Sequence, residues 1–280
     1  MNNTSLVVKA NAVIDASYRL TLNEQRLILL CISQIKKGVA VSEKTVFSIK
    51  ASEFSEAFNV PLKTAYRELQ TIADRLYDRS ATIYNPDPDN PDITQLKTRW
   101  ISSIMYMGDG HLSLGFAGHM IPYISMLEGR FTRYSLDAIT GMSSTYGMRF
   151  YELMKKWQTE TGITKKNHEI ELEKLKDMLD LKGKYQAIKD FKKYVLGPAI
   201  KDINNCTDLT ASYSQRKTGR RVTHLSFNFS TDEQIKMKLE GGGTSKVRIS
   251  NSYIEKHARP GESYQQAEKR LREETKKQTK

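Results

Sequence analysis

Cysteine is nearly absent: the 280 residues contain only Cys31 and Cys206, which have no metal-ligand spacing. Cys31 falls within an apolar helical run, where a buried thiol is expected, and this suits a reducing cytoplasm. Long apolar runs are missing too. None approaches the roughly 20 residues that span a bilayer, and the N-terminus MNNTSLVVKANAV has no charged segment ahead of a long apolar stretch. The chain therefore reads as a soluble cytoplasmic protein. Its five histidines, His111, His119, His168, His224 and His257, form no His-x-His or His-x-x-x-His pair, which argues against the metal site of a rolling-circle nickase or a zincin. The stretch GGGTSK at 241–246 lacks the Gly-Lys-Ser/Thr ending of a phosphate loop and reads as a linker. The 14 tyrosines leave a nucleophile possible in principle. Arg149, His168 and Tyr253 are the groups such chemistry would recruit, but their spacing supports no constellation. No catalytic residue, metal or cofactor is expected.

Acidic residues are outnumbered: 44 Lys and Arg stand against 32 Asp and Glu, for a formal net charge of +12 and a pI of about 9.5. That balance favours nucleic acid or an acidic surface as partner. The imbalance is sharpest in SYSQRKTGRRVTHLSFNF, residues 212–229, which contains no acidic side chain and gathers Arg216, Lys217, Arg220 and Arg221 around Thr218-Gly219. On either side of the turn, Leu209, Ala211 and Tyr213, then Leu225, Phe227 and Phe229, alternate with polar residues, the period of a half-buried strand. The stretch thus reads as a hairpin with an apolar face on a core and a cationic tip in solvent. Such a tip is either a solubilising loop or a contact for a polyanion.

A length of 280 residues allows one large core or two ordinary ones. The order of elements favours two, because it repeats. In the first half, Thr21 and Glu24 have capping-box spacing, and Leu27, Leu30, Cys31 and Ile35 recur at helical intervals toward Gly38. A short helix carrying Phe54, Ala57 and Phe58 follows. After the turn Asn59-Val60-Pro61 comes a longer helix with Leu62, Tyr66, Leu69, Ile72, Ala73 and Leu76 as its apolar stripe, and then a hairpin turning at Asp109-Gly110. In the second half the helix carries Tyr146, Phe150, Leu153, Met154 and Trp157. IELEKLKDMLDL then reads as a short helix, KYQAIKDFKKYVLGPAIKDINN as a longer one, and the cationic hairpin closes the series. Ile49, Phe54, Phe58 and Val60 match Ile170, Leu175, Leu179 and Leu181 at an offset of 121, and Tyr66 and Leu69 match Ile188 and Phe191 at 122.

Helix, turn, helix and hairpin make a winged helix, whose later helix can enter a major groove while the wing reaches the flanking backbone. The expected fold is therefore α+β, mainly helical, with tandem winged-helix domains at 1–134 and 135–232 and a mobile basic tail at 233–280, helical at times from Tyr264 onward. In the second domain Ile188, Phe191, Val195 and Ala199 form the buried stripe, leaving Gln186, Lys189, Asp190 and Lys193 opposite as candidates for base edges. Lys182 and Lys184 precede the helix, where they and the peptide dipoles attract phosphate. Gly197-Pro198 inside the run implies a kink or break, since Pro198 has no N–H to donate. A solvated helix face is the alternative; the cationic wing beside it favours DNA. In the first domain Lys63, Arg67 and Gln70 lie on the exposed face, but Asp109 occupies the tip of its wing. That hairpin, with Trp100, Ile104, Met105, Tyr106 and Met107, either packs within its own domain or meets another subunit.

Three stretches, NAVIDASYRLTLNEQRLILLCISQI, YSLDAITGMSSTYGMRFYELMKKW and YQAIKDFKKYVLGPAIKDINNCTDLTASYSQRKTGRRVTHLSFNF, resemble the iteron-binding plasmid replication initiators of the RepA/RepB/RepE type, over about residues 6–229. The resemblance implies a tandem winged-helix protein that binds direct repeats in a plasmid origin as a monomer. It also implies melting of adjacent AT-rich DNA and recruitment of host DnaA and the DnaB helicase. Dimers formed through the first domain would repress the gene or couple origins to limit copy number. By position, the helix from Tyr185 to about Leu196 would be the main major-groove reader and the hairpin around Lys217 its wing, while the tail after Gly241 has no counterpart. A winged-helix transcriptional repressor, and a DNA-cleaving or joining enzyme, are the rival readings.

Overall fold

The computed structural model describes residues 5–127, 129–160, 167–231 and 264–277, together with Ile254, His257, Arg259 and Glu262. The chain begins with β1 (Leu6–Ala10), α1 (Asn11–Asp15) and α2 (Leu22–Ser33). Thr21 and Glu24 close the expected capping box at the start of α2: the Thr21 Oγ1 accepts from the Glu24 N–H at 3.3 Å, and the Glu24 carboxylate accepts from the Thr21 N–H at 2.8 Å. The helix ends five residues before Gly38, where the Ser33 hydroxyl turns back onto the Leu30 carbonyl.

Next come β2 (Val46–Lys50), α3 (Ala51–Phe58) and α4 (Leu62–Tyr77). Asn59 in the left-handed region, at φ 49°, makes the sharp turn between the two helices. The buried stripe of α4 is Ala65, Leu69, Ile72, Ala73 and Leu76. Leu62 and Tyr66, expected in that stripe, are instead about half exposed. Tyr66 lies against the turn of the first wing, where a Cβ at Gly110 would collide with its ring. A side hairpin of β3 (Ser80–Tyr84) and β4 (Gln95–Arg99) precedes that wing, β5 (Ile101–Tyr106) and β6 (His111–Phe116); β7 (Phe131–Ser135) then pairs antiparallel with β1.

The second half contains α5 (Thr145–Glu160), β8 (Asn167–Glu171), α6 (Leu172–Met178), α7 (Ile188–Phe191), α8 (Gly197–Cys206), β9 (Leu209–Thr218) and β10 (Arg221–Thr231). Its sheet has the order β8-β10-β9, and the first-half sheet has the order β2-β6-β5. The repeat is therefore structural: in each half an early strand pairs with the later wing strand, which pairs with the earlier one. β2 and β8 also occupy positions 121 residues apart, the offset seen between their apolar residues.

Two features of the long second-half helix differ from expectation. It starts at Ile188 rather than Tyr185, because Tyr185 takes a left-handed φ of 48° and Gln186 and Ala187 are extended or turning. At Gly197-Pro198, where a kink or break is expected, the helix does not break but is irregular. A π turn over Lys192–Leu196 joins α7 to α8, inserting one extra residue just ahead of Pro198, where a regular α-helix would need the N–H that proline lacks. Phe191, Val195, Leu196, Ala199 and Ile203 are all buried along it.

Instead of two separate cores, one continuous apolar cluster runs from Val7 through both halves to Phe229. The expected helix at Tyr264 is present as α9 (Tyr264–Lys277). Ala267 and Leu271 are buried on it, as is Ile254, so apolar burial extends beyond Thr231. The linker at 241–246 and Tyr253 lie outside the described residues.

Candidate nucleic-acid interface

The second wing is a ladder from Leu209↔Thr231 to Thr218↔Arg221, closed by the two-residue loop Gly219-Arg220. Gly219 has φ 61°, and only this first loop position is left-handed, which is where a two-residue turn of the II′ type needs glycine. Strand alternation separates the cations. Leu225 and Phe227, opposite Gln215 and Tyr213, lie on the core face. His224 and Ser226, opposite Arg216 and Ser214, lie on the outer face. Arg216 is therefore on the outer face, where its Nε and Nη2 donate to Glu169 of β8 at 2.8–3.1 Å. The same Glu169 accepts from the Ser226 hydroxyl at 3.1 Å. These bonds, with Arg216 the larger influence, hold the Glu169 carboxyl below its ordinary value and raise the Arg216 guanidinium. Lys217 belongs to the opposite face, beyond a bulge between Val222 and His224, and Arg220 and Arg221 occupy the turn. All three are exposed.

On the helix side, Lys189 and Lys193 are one turn apart and exposed. The Lys193 Nζ lies 4.9 Å from the centre of the Tyr194 ring, which is 52% exposed. Asp190 is half-buried in the first turn, where a carboxylate complements the helix dipole. Gln186, Lys182 and Lys184 are exposed in the loop before the helix, which is shaped by positive φ at Asp180, Gly183 and Tyr185. Tyr185 turns its ring toward Phe191 and Tyr194, 6.3 Å from each. In the first half, Lys63, Arg67 and Gln70 are exposed on α4, Arg67 pairing with Glu68 at 2.9 Å. Met105, Tyr106 and Met107 stand about half exposed near the first wing's tip, whereas Trp100 is fully buried and Ile104 partly so.

Glu169 and Tyr194 were missed by sequence reasoning. The β8-to-β10 pairing sets Glu169 opposite Ser226, 57 residues away, and so within reach of Arg216 on β9, 47 residues away, and it leaves no local signal. Tyr194 lies within the π turn, beside the buried Val195, and is exposed there. Of the groups a tyrosine nucleophile would recruit, Arg149 is buried between the two halves, and His168 stacks on Trp157 with ring centres 4.1 Å apart. Among the described residues no group of three or more His, Cys, Asp and Glu side chains could hold a metal ion, and no helix is long and apolar enough to cross a membrane.

Residues 6–155 match the family described as initiator replication protein, WH1, and residues 171–229 match initiator Rep protein, WH2. Among curated proteins, a replication initiation protein of Escherichia coli is 28% identical over 261 residues, covering 89% of this chain and 80% of the relative. The PI protein of Escherichia coli is 26% identical over 263 residues, covering 83% of this chain and 85% of that protein. A solved crystal structure of Pi initiator protein in complex with iteron DNA superimposes with a TM-score of 0.68 at 25% identity, covering 83% of this chain and all of the other. A helix-turn-helix and wing repeated in one order, with those family matches spanning both copies, place the chain among the initiator replication proteins with tandem WH1 and WH2 domains.

Proposed function

We propose that this chain initiates plasmid replication by binding directly repeated sites, iterons, in double-stranded origin DNA. The observation that carries this reading is the likeness, over both winged helices, to an initiator captured on iteron DNA, together with the cationic wing and helix face of the second unit. In this reading the unit at 135–232 is the main reader. Gln186, Lys189, Asp190 and Lys193 meet base edges, and Lys182, Lys184, Lys217, Arg220 and Arg221 meet phosphates, with Arg216 joining them when Glu169 releases it. The unit at 1–134 adds contacts through Lys63, Arg67 and Gln70 and offers its wing for self-association. The basic segment at 233–280 carries no assigned contact.

The mechanism is binding without covalent catalysis in the cytoplasm. Bound copies bend the repeats and stress adjacent AT-rich DNA, whose pyrimidine-purine steps deform at low cost, and host DnaA and the DnaB helicase are then recruited. Neutralising phosphates releases counterions. The five exposed lysines and arginines assigned to phosphates, Lys182, Lys184, Lys217, Arg220 and Arg221, imply a log-log salt slope of about −4.5 if each meets one phosphate.

Footprinting on the DNA flanking the gene tests the reading. Protected direct repeats beside an AT-rich tract are expected; a lone palindrome at a promoter would make the chain a repressor. Nicked supercoiled DNA or a covalent tyrosyl adduct in the presence of a divalent metal would make it an enzyme. On the footprinted repeat, Lys189→Ala should change sequence preference, by about 1–3 kcal/mol at the base it reads, and Arg220→Ala should weaken all duplexes alike.

A further inference from the structure

The two DNA-reading heads are joined through a buried cluster of charges rather than through apolar surface alone. Arg149 and Glu152 come from α5, Lys9 from β1, Tyr134 from β7, and Tyr18 from the loop after α1. Lys9, Arg149 and Glu152 are each at most 3% exposed. The Lys9 Nζ donates to Glu152 at 2.7 Å, and the Tyr134 hydroxyl donates to the same carboxylate. Arg149 donates from Nη1 to the Tyr18 hydroxyl, with its guanidinium carbon 3.7 Å from the centre of the Tyr18 ring. Its Nη2 donates to the carbonyls of Ile14 and Ala16 at 3.1 and 3.0 Å, and to that of Met178 at 3.2 Å.

Those three carbonyls identify what Arg149 joins. Ile14 and Ala16 are at the C-terminal end of α1 in the first half, and Met178 is the last residue of α6 in the second. Helix C-termini present carbonyls without intrahelical partners and carry partial negative charge, so a cation between two of them is favoured. The Ser17 hydroxyl adds a second link, donating to the Asp177 carbonyl of α6. α6 is followed, across a nine-residue turn, by α7. The direction in which α7 points relative to the first unit thus depends on how one guanidinium grips two helix ends.

We propose that Arg149, held by Tyr18 and Glu152, is a positioning residue that fixes the distance and rotation between the two heads, and so sets the spacing of the DNA contacts each complex accepts. The inference rests on the reading that both units bind one duplex. Apolar contact is non-directional and tolerates sliding, whereas a planar guanidinium fork is satisfied in few orientations, and a buried ion network disfavours every packing that leaves a charge unpaired. Two linked heads gain from each other only when the link matches the span between their sites. One inserted base pair moves the second site by about 3.4 Å and turns it by about a tenth of a helical turn, so a rigid link makes insertion costly and a slack one does not.

The test uses the full-length chain and a duplex it selects from a random-sequence pool, then the same duplex with one or two base pairs inserted between the segments footprinted under the two units. Wild type is expected to lose about tenfold or more in affinity per insertion. Arg149→Lys keeps the charge and loses the fork, and should cut that loss to within about threefold while weakening binding to the parent duplex only modestly. Should Arg149→Lys fail to fold, Tyr18→Phe, which removes the hydroxyl that accepts from the Arg149 Nη1 and holds the guanidinium, decides by the same readout. A folded variant that retains the full wild-type insertion loss overturns the positioning role alone. A wild type indifferent to insertion overturns the two-headed reading with it.

Discussion

At the scale of the residue, charge and availability diverge. Arg216, Lys217, Arg220 and Arg221 are neighbours in sequence, and the composition of the turn made all four legible as a cationic cluster. The outer-face position of Arg216 follows from strand alternation, but its bidentate grip on Glu169, 47 residues away, was not legible, because it depends on β8 pairing with β10. Arg220→Ala should therefore flatten the salt dependence of DNA binding by about one unit of slope, while Arg216→Ala should flatten it by less, since an exposed ion pair already screens that guanidinium. Glu169→Gln is the complementary change: it leaves Arg216 without its carboxylate, and binding to random duplex should rise at low salt and fall more steeply as salt increases. Titrations of the three variants against one random duplex at several ionic strengths check this. Equal slopes for Arg216→Ala and Arg220→Ala would show that the Glu169 pair does not withhold Arg216 from DNA.

At the scale of the element, local signals served best where the chain itself supplies the partner. The capping box at Thr21 and Glu24, the left-handed Asn59 before Pro61 and the wing turn at Gly219 all depend on residues within a few positions of one another, and each forms where the spacing placed it. Less legible were the start of the second long helix and its passage through Pro198, where a tertiary choice, a left-handed Tyr185 and a π turn, overrides the apolar period. The wing turn gives a prediction at this scale. Gly219 has φ 61° with open space around the position of a Cβ, so Gly219→Ala meets backbone strain and no collision. That strain should cost the turn about 1–2 kcal/mol and loosen the tip without touching the buried Leu225, Phe227 and Phe229. Affinity for matched and random duplexes should drop together by a few-fold, with the urea midpoint nearly unchanged; a large fall in that midpoint would mean that the turn also supports the core.

At the scale of the whole molecule, the duplication could be read from the sequence and the fusion of its halves could not. Offsets of 121, then 122, between apolar residues pointed to two units, but the single core runs from Val7 to Phe229 and the cluster pairs Lys9 with Glu152, 143 residues away. Arg149 and Glu152 stand in a stretch whose pattern carried the family resemblance, and neither was legible there as the joint between the halves. The cluster makes the joint sensitive to acid. Burial alone would raise the Glu152 carboxyl, but Lys9 and Arg149, aided by the Tyr134 hydroxyl, outweigh it and hold the group below its ordinary 4.5. A depressed folded-state value means that the ionised form stabilises the fold in full above about pH 4.5, and that this share is lost as the pH falls below it. Protonation then leaves Lys9 and Arg149 buried together without a counter-charge. Glu152→Gln removes the same charge at every pH, so it should lower stability at pH 7 by about 3–5 kcal/mol and show a shallower decline than wild type below pH 4.5. Urea unfolding of both proteins from pH 7 to pH 3 isolates the Glu152 share as the difference between them; parallel curves across that range would mean that the ionised carboxylate adds nothing to the stability of the fold.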